Sequence, residues 1–279
     1  MHGKRHRKTE YHWIWLITNS LCAFLTMFIS LFFLYYLVQM LVARIFGIQS
    51  SLHLDDIIFI SADGVWFPKL ILVAYTAPVF FAVFATALFY YIHYLLKRTS
   101  YLLRLYCLWG YIISLALFLC SFIHGYFAYK GFAVIFLWYN MSKRWNDLLA
   151  LIGVVGLCLG GLFLGVSFLK LAPSQDLEMH KRPRWFLIRF VLAPLLLGIT
   201  IIWFLLIRNW QNHNSIPLFV VPLGILLMMV FMIIRREPIE EKVTIVKNLP
   251  TGQFSLFAVL ICFFVLLAAK YLVVKGLNL

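Results

Sequence analysis

Seven uninterrupted apolar runs dominate the chain, each close to the roughly 20 residues that a helix needs to cross a bilayer. They cover approximately Trp13–Val42, Leu70–Leu96, Leu105–Tyr126, Leu148–Leu169, Trp185–Ile207, Ile216–Ile234 and Phe254–Val274. Lipid offers no hydrogen bonds, so a backbone crossing it must satisfy its own polar groups, and runs of this length predict helices. Composition removes the soluble alternative. The 279 residues are 64% hydrophobic and 12% charged, against about half and a quarter in soluble domains. The expected fold class is therefore an all-α membrane protein: one integral membrane domain over residues 1–279, a polytopic bundle of about seven transmembrane helices. The five cysteines, Cys22, Cys107, Cys120, Cys158 and Cys262, all fall inside apolar runs without C-x-x-C spacing. They read as small apolar fillers, not as a disulfide framework or a zinc site.

The first run is too long for a simple span. Its opening residues Trp13, Trp15, Thr18, Asn19 and Ser20 suit the headgroup zone, which predicts a core crossing from about Leu21. The apolar stretch also exceeds a signal-peptide core and has no A-x-A site after it, so it reads as an uncleaved anchor. Residues 1–12 then form a basic cytoplasmic tail. Cytoplasmic segments collect Lys and Arg. With the N-terminus inside, sixteen of the 24 basic residues fall on inner segments. Seven spans then put the C-terminus outside. The net charge of +14 is thus read as orientation and attraction to anionic headgroups, with no nucleic acid as partner. The short loops favour a bacterial inner membrane.

Residues 46–69 form the expected extracytoplasmic loop. Ile57–Ile60 and Val65-Trp66-Phe67 are short β-favouring runs around Ser61-Ala62-Asp63-Gly64, a turn signal, which predicts a small hairpin. Gly131–Tyr139 is apolar but too short to cross, and reads as interfacial or re-entrant. Asn140-Met141-Ser142 is an outer-side sequon.

Chemistry is conspicuous by its absence. None of the ten carboxylates falls at the middle of a predicted span, whereas proton-coupled carriers commonly keep a titrating group at membrane depth. His93 and His124 lie near span ends and read as interfacial or hydrogen-bonded imidazoles. His53, Asp55 and Asp56 carry ligand-type atoms, yet catalytic zinc takes three protein ligands, and a solvated turn is the simpler reading. No catalytic residue, cofactor or metal site is assigned. The fourth run holds two G-x-x-x-G spacings, Gly156/Gly160 and Gly161/Gly165, small-residue stripes that let helices approach closely. The close neighbour is either another helix of the chain or a partner subunit. Pro78, Pro194, Pro217 and Pro222 lie in or beside spans, where each frees a carbonyl. In the inner loop Pro173–Arg184, the basic residues Lys181, Arg182 and Arg184 suit an anionic lipid or a partner. Arg235–Pro250 mixes both signs. Walker, Rossmann and G-x-S-x-G patterns are missing.

The end of the first run, Ala43-Arg44-Ile45-Phe46-Gly47, followed by the hairpin candidate and Thr76-Ala77-Pro78, resembles the site-2-protease-like intramembrane zinc metalloproteases. In that family an H-E-x-x-H helix runs into a similar end, before a membrane-associated β loop and a span with an A-G-P-like step. The metal-binding motif is lost here, because its positions fall on Tyr35, Tyr36 and Gln39. The resemblance covers about the first ninety residues and implies an inactive relative that keeps a scaffold.

The functional expectation is a non-catalytic polytopic membrane protein, a subunit or scaffold of a membrane complex, paired with a membrane protein partner or with itself. The alternatives are a permease for an apolar or anionic solute and a membrane enzyme acting on a lipid-like substrate. The permease would need a wet, polar-lined cavity. The enzyme would use His53, Asp55 and Asp56 at the outer surface.

Overall fold

The computed structural model describes residues 3–52, 57–60, 67–95, 100–128, 143–169, 183–206, 216–234, 255–275 and 277–278. Among the described residues seven helical rods follow one another: α1 (Gly3–Ile45), α2 (Phe67–Tyr90, continued by a π turn over Tyr91–Leu95), α3 (Tyr101–Ala128), α4 (Lys143–Leu169), α5 (Pro183–Leu187 and Ala193–Leu206 joined by a π turn over Ile188–Leu192), α6 (Ile216–Ile234) and α7 (Leu256–Lys275). Six contain stretches long and apolar enough to cross a membrane, and α7 holds a shorter one, Leu256–Leu272. The 20 residues of α7 still reach about 30 Å, the thickness of the hydrocarbon core.

A small sheet settles the parity of the crossings. Strands β1 (Gln49–Leu52) and β2 (Ile57–Ile60) pair antiparallel, and β3 (Leu277–Asn278) pairs antiparallel with β1 through Ser51–Asn278 and Leu52–Leu277. The segment after α1 and the segment after α7 therefore meet at one end of the bundle. That requires an even number of passes between them, which α2 to α7 provide.

The hairpin differs from the expected one. Ile57–Ile60 is a strand and pairs with Gln49–Leu52, while Val65 and Trp66 lie outside the described residues. Phe67 instead opens α2, with Pro68 in its first turn, where a missing N–H costs nothing. The Ser61–Gly64 turn lies outside the described residues. The polar run Gln49-Ser50-Ser51 carries little strand signal; it is placed by the end of α1. Gly47 adopts φ 74°. Its N–H donates to the Arg44 carbonyl at 2.9 Å, and the Ile48 N–H donates to the Ala43 carbonyl at 2.9 Å. This is a Schellman stop, completed by packing of Ile48 with Ala43 and Val73. Gly47→Ala should cost about 1–2 kcal/mol, the penalty of a left-handed non-glycine residue; thermal unfolding in mild detergent measures it.

α1 is the hub. It runs 43 residues without a break and packs on α2, α3, α5 and α7. Its basic tail is helical from Gly3. Asn19 and Ser20, expected among headgroups, are buried inside the bundle. The sequence marks them only as polar; long-range partners decide their depth. The Asn19 side-chain oxygen accepts from the Ser255 N–H at 3.4 Å, and the Ser20 hydroxyl accepts from the Trp109 indole at 3.2 Å. Ser255 also caps α7, its hydroxyl accepting from the Ala258 N–H at 3.2 Å. Around this polar layer sits an aromatic core in which Phe24 touches Phe28 and Trp109, and Trp109 touches Phe168.

Candidate functional site

Three features could make a site in such a bundle: a reactive cluster, an open backbone gap or a charged contact surface. A carbonyl freed by proline in lipid is a binding element or a liability. Pro222 sits inside α6 and cannot donate to Leu218, four residues before it. The Trp203 indole of α5 donates to that carbonyl at 3.1 Å. The gap is closed from within the chain, and α5 is tied to α6 by the same bond. Near Pro194 the ladder shifts register: the Ala193 N–H reaches the Ile188 carbonyl, five residues back, and the π turn absorbs the defect. Trp203→Phe should keep the packing but orphan the Leu218 carbonyl. The expected loss is about 1 kcal/mol, read as a lowered unfolding temperature in detergent.

The glycines of α4 face two neighbours. An added Cβ would come 2.9 Å from Leu119 of α3 at Gly156, and 3.0 Å from Leu115 and 3.1 Å from Met228 at Gly160. At Gly161 it would strike the Met228 carbonyl oxygen of α6, with the Met228 carbonyl carbon at 2.9 Å. Three of the four glycines thus face helices of the same chain. Gly165 lies on α4, but its surroundings are outside the described side chains.

Of the basic trio Lys181, Arg182 and Arg184, the first two lie outside the described residues. Arg184 is exposed at the start of α5. Nearby, Arg189 lies over two indoles, its guanidinium carbon 5.3 Å from the Trp13 ring centre and 5.9 Å from that of Trp185. Trp185 is itself 54% exposed. A cation over two indole faces suits a headgroup zone. Sequence reasoning counted Arg189 only as an inner charge. Its spacing of four from Trp185 on one helix face was the available signal; the pairing with Trp13 is long-range.

The polar candidates do not converge. Among the described residues no group of three or more His, Cys, Asp or Glu side chains could hold a metal. Asp147 is exposed in the first turns of α4. His124 is half-buried on α3, and the His93 Nδ1 lies 3.0 Å from the Phe89 carbonyl oxygen of its own helix. Where the metalloprotease motif would fall, Tyr36 contacts Phe32 edge-on, Tyr35 contacts Phe81, and Gln39 is buried. His53, Asp55 and Asp56 lie outside the described residues, as do Gly131–Tyr139, the sequon and Arg235–Pro250.

Cys22 of α1 and Cys262 of α7 lie close to each other, near Thr26. Both are free thiols and both are buried. No signal in the sequence pairs them, since 240 residues separate them. No known protein family, curated protein or solved structure matches the chain.

Proposed function

We propose that the protein is a non-catalytic membrane scaffold, a subunit that presents its lipid-facing helices to a membrane protein partner or to a second copy. One observation carries this reading: several described polar groups that could have lined a passage are instead bonded within the bundle. Pro222's freed carbonyl is taken by Trp203. Asn19 and Ser20 are bonded to α7 and α3. The hydroxyls of Thr76, Thr86 and Thr200 donate to carbonyls one turn back, which hides their polarity from lipid. A permease needs such groups turned toward a cavity.

The loss of His and Glu at Tyr35, Tyr36 and Gln39 fits an inactive metalloprotease-like relative. The Schellman geometry gives the Ala43–Gly47 likeness a local cause of its own: it is a helix stop that delivers β1. The orientation in this proposal is N-terminus cytoplasmic and C-terminus extracytoplasmic, in a bacterial inner membrane, with Lys181, Arg182 and Arg184 on the side of anionic headgroups. The charge bias supports it. A reporter fused after Leu279 that is active only outside the cytoplasm should be active; inactivity would reverse the orientation.

The function is tested by purifying tagged protein from native membranes in a mild detergent and quantifying what accompanies it. The expected result is a stoichiometric membrane protein or a defined homo-oligomer. Solute flux in vesicles holding only this chain would replace the scaffold with a permease.

A further inference from the structure

α7 is held chiefly by α1. Both rods end at the small sheet, β1 following α1 and β3 following α7, so the two run parallel. Their register is set at the other end, where the Asn19 side-chain oxygen accepts from the Ser255 N–H just before α7. From that bond each helix turns a narrow face to the other. On α1 the buried Asn19, Cys22 and Thr26 follow one another on one side of the helix. On α7 the buried residues among those described are Ala258, Cys262 and Ala269, again one side. The opposite side, with Phe257, Phe263 and Phe264, is exposed. Cys22 and Cys262 meet in this seam, close to each other and near Thr26.

Three properties decide what such a pair can do. The approach is close. Cys262 is flanked on its face by alanines, and small side chains let helices come together in lipid. A disulfide needs Cα atoms about 4.4–6.8 Å apart, which a seam of this kind allows. The site is also dry, with Cys22 7% and Cys262 5% exposed. A metal ion between the sulfurs would be held by thiolates, and charge is costly away from water. A dithiol and a disulfide are both neutral. Finally, the route in is from lipid. Phe263 and Phe264, next to Cys262, are exposed at the rim of the bundle, so parting α7 from α1 uncovers both sulfurs to a reagent dissolved in the bilayer. We propose that Cys22 and Cys262 form a redox modification site, which a lipid-soluble quinone oxidises to a disulfide that fastens α7 to α1. Both S–H bonds break and one S–S bond forms. The two electrons and two protons pass to the quinone, which leaves as quinol. The structure shows the reduced form, with both thiols free. The inference rests on the packing of α1 against α7 and does not depend on the scaffold reading.

The test uses the full chain, reduced beforehand, in vesicles containing decylubiquinone and in parallel in vesicles without it, both under nitrogen. Remaining thiols are capped with N-ethylmaleimide in denaturant, and peptides are mapped by mass spectrometry without reduction. The expected result is a peptide joining Cys22 to Cys262 in most quinone-treated chains, one quinol formed per chain, and Cys107, Cys120 and Cys158 capped. The oxidised chain should unfold about 5 °C above the reduced one in the same detergent, and dithiothreitol should remove the shift. Cys262→Ser should abolish both the joined peptide and the shift. Cys22→Ala serves if the serine variant does not fold. Capping of Cys22 and Cys262 after quinone treatment of the folded chain, equal joining of either one to Cys107, Cys120 or Cys158, or an unfolding temperature unmoved by the disulfide each overturns the proposal.

Discussion

Gly161→Ala destabilises the bundle by about 2–3 kcal/mol, while Gly160→Ala, one residue away on the same helix, costs well under 1 kcal/mol. The difference lies in what the new methyl group meets. At Gly160 the obstacles are the ends of flexible side chains, Leu115 Cδ2 at 3.0 Å and Met228 Cε at 3.1 Å. Both move by small torsional changes. At Gly161 the obstacle is the Met228 backbone of α6, its carbonyl oxygen foremost. A backbone cannot step aside without moving its helix. Hydrophobic transfer adds little to helix association in lipid, so α4 and α6 are held by close dispersion contact, which fades steeply with distance. Thermal unfolding of the two variants in one mild detergent measures the contrast. A change of about 2–4 °C per kcal/mol is the scale for a chain of this size. Equal effects at the two glycines would show that α4 and α6 do not approach there.

Trp109→Ala is the second large loss, about 3 kcal/mol. The indole is fully buried among Phe24 at 5.0 Å and Phe168 at 5.7 Å, and it joins α3 to α1 and α4. Truncation of a buried Trp in a water-soluble core costs about 3–5 kcal/mol, of which transfer and cavity terms are both parts. Lipid is as apolar as the core, which removes most of the transfer part and places the value at the low end. Two companion variants separate packing from hydrogen bonding. Trp109→Phe keeps most of the volume, and the Ser20 hydroxyl can turn to a carbonyl of its own helix, so about 1 kcal/mol is expected. Ser20→Ala leaves the indole N–H without its acceptor and also costs about 1 kcal/mol. The same unfolding measurement ranks the three. An alanine variant as stable as the parent would remove Trp109 from the core.

The architecture was largely legible in the amino-acid order, because run length and backbone satisfaction leave a membrane-spanning chain few options. The helices follow the apolar runs closely, down to α6 matching Ile216–Ile234. The misplaced features share one cause. Asn19 and Ser20 read as headgroup residues because polarity is local, whereas their partners Ser255 and Trp109 are far along the chain. The strand Gln49–Leu52 was invisible because its residues have no β character; a glycine stop before it and β3 from the other terminus put it in a sheet. At the candidate site the pattern repeats. The α4 glycines were visible as a stripe, but which helix each would meet was not. The Trp203 bond to the Leu218 carbonyl needed two helices side by side. The Arg189 contact with Trp13 needed α1 beside α5.

Cys22, Cys120 and Cys262 supply a native readout of the scaffold proposal, which expects no watery route among the described helices. They are buried on three different helices. A membrane-impermeant methanethiosulfonate reagent is applied to each face of sealed vesicles, with Asn278→Cys at the end of the chain as a reactive control. The control should be modified rapidly from one face, while the three native thiols stay unmodified from both. Rapid modification of Cys120, Cys22 or Cys262 in folded protein would reveal a wet passage among α1, α3 and α7 and contradict the account.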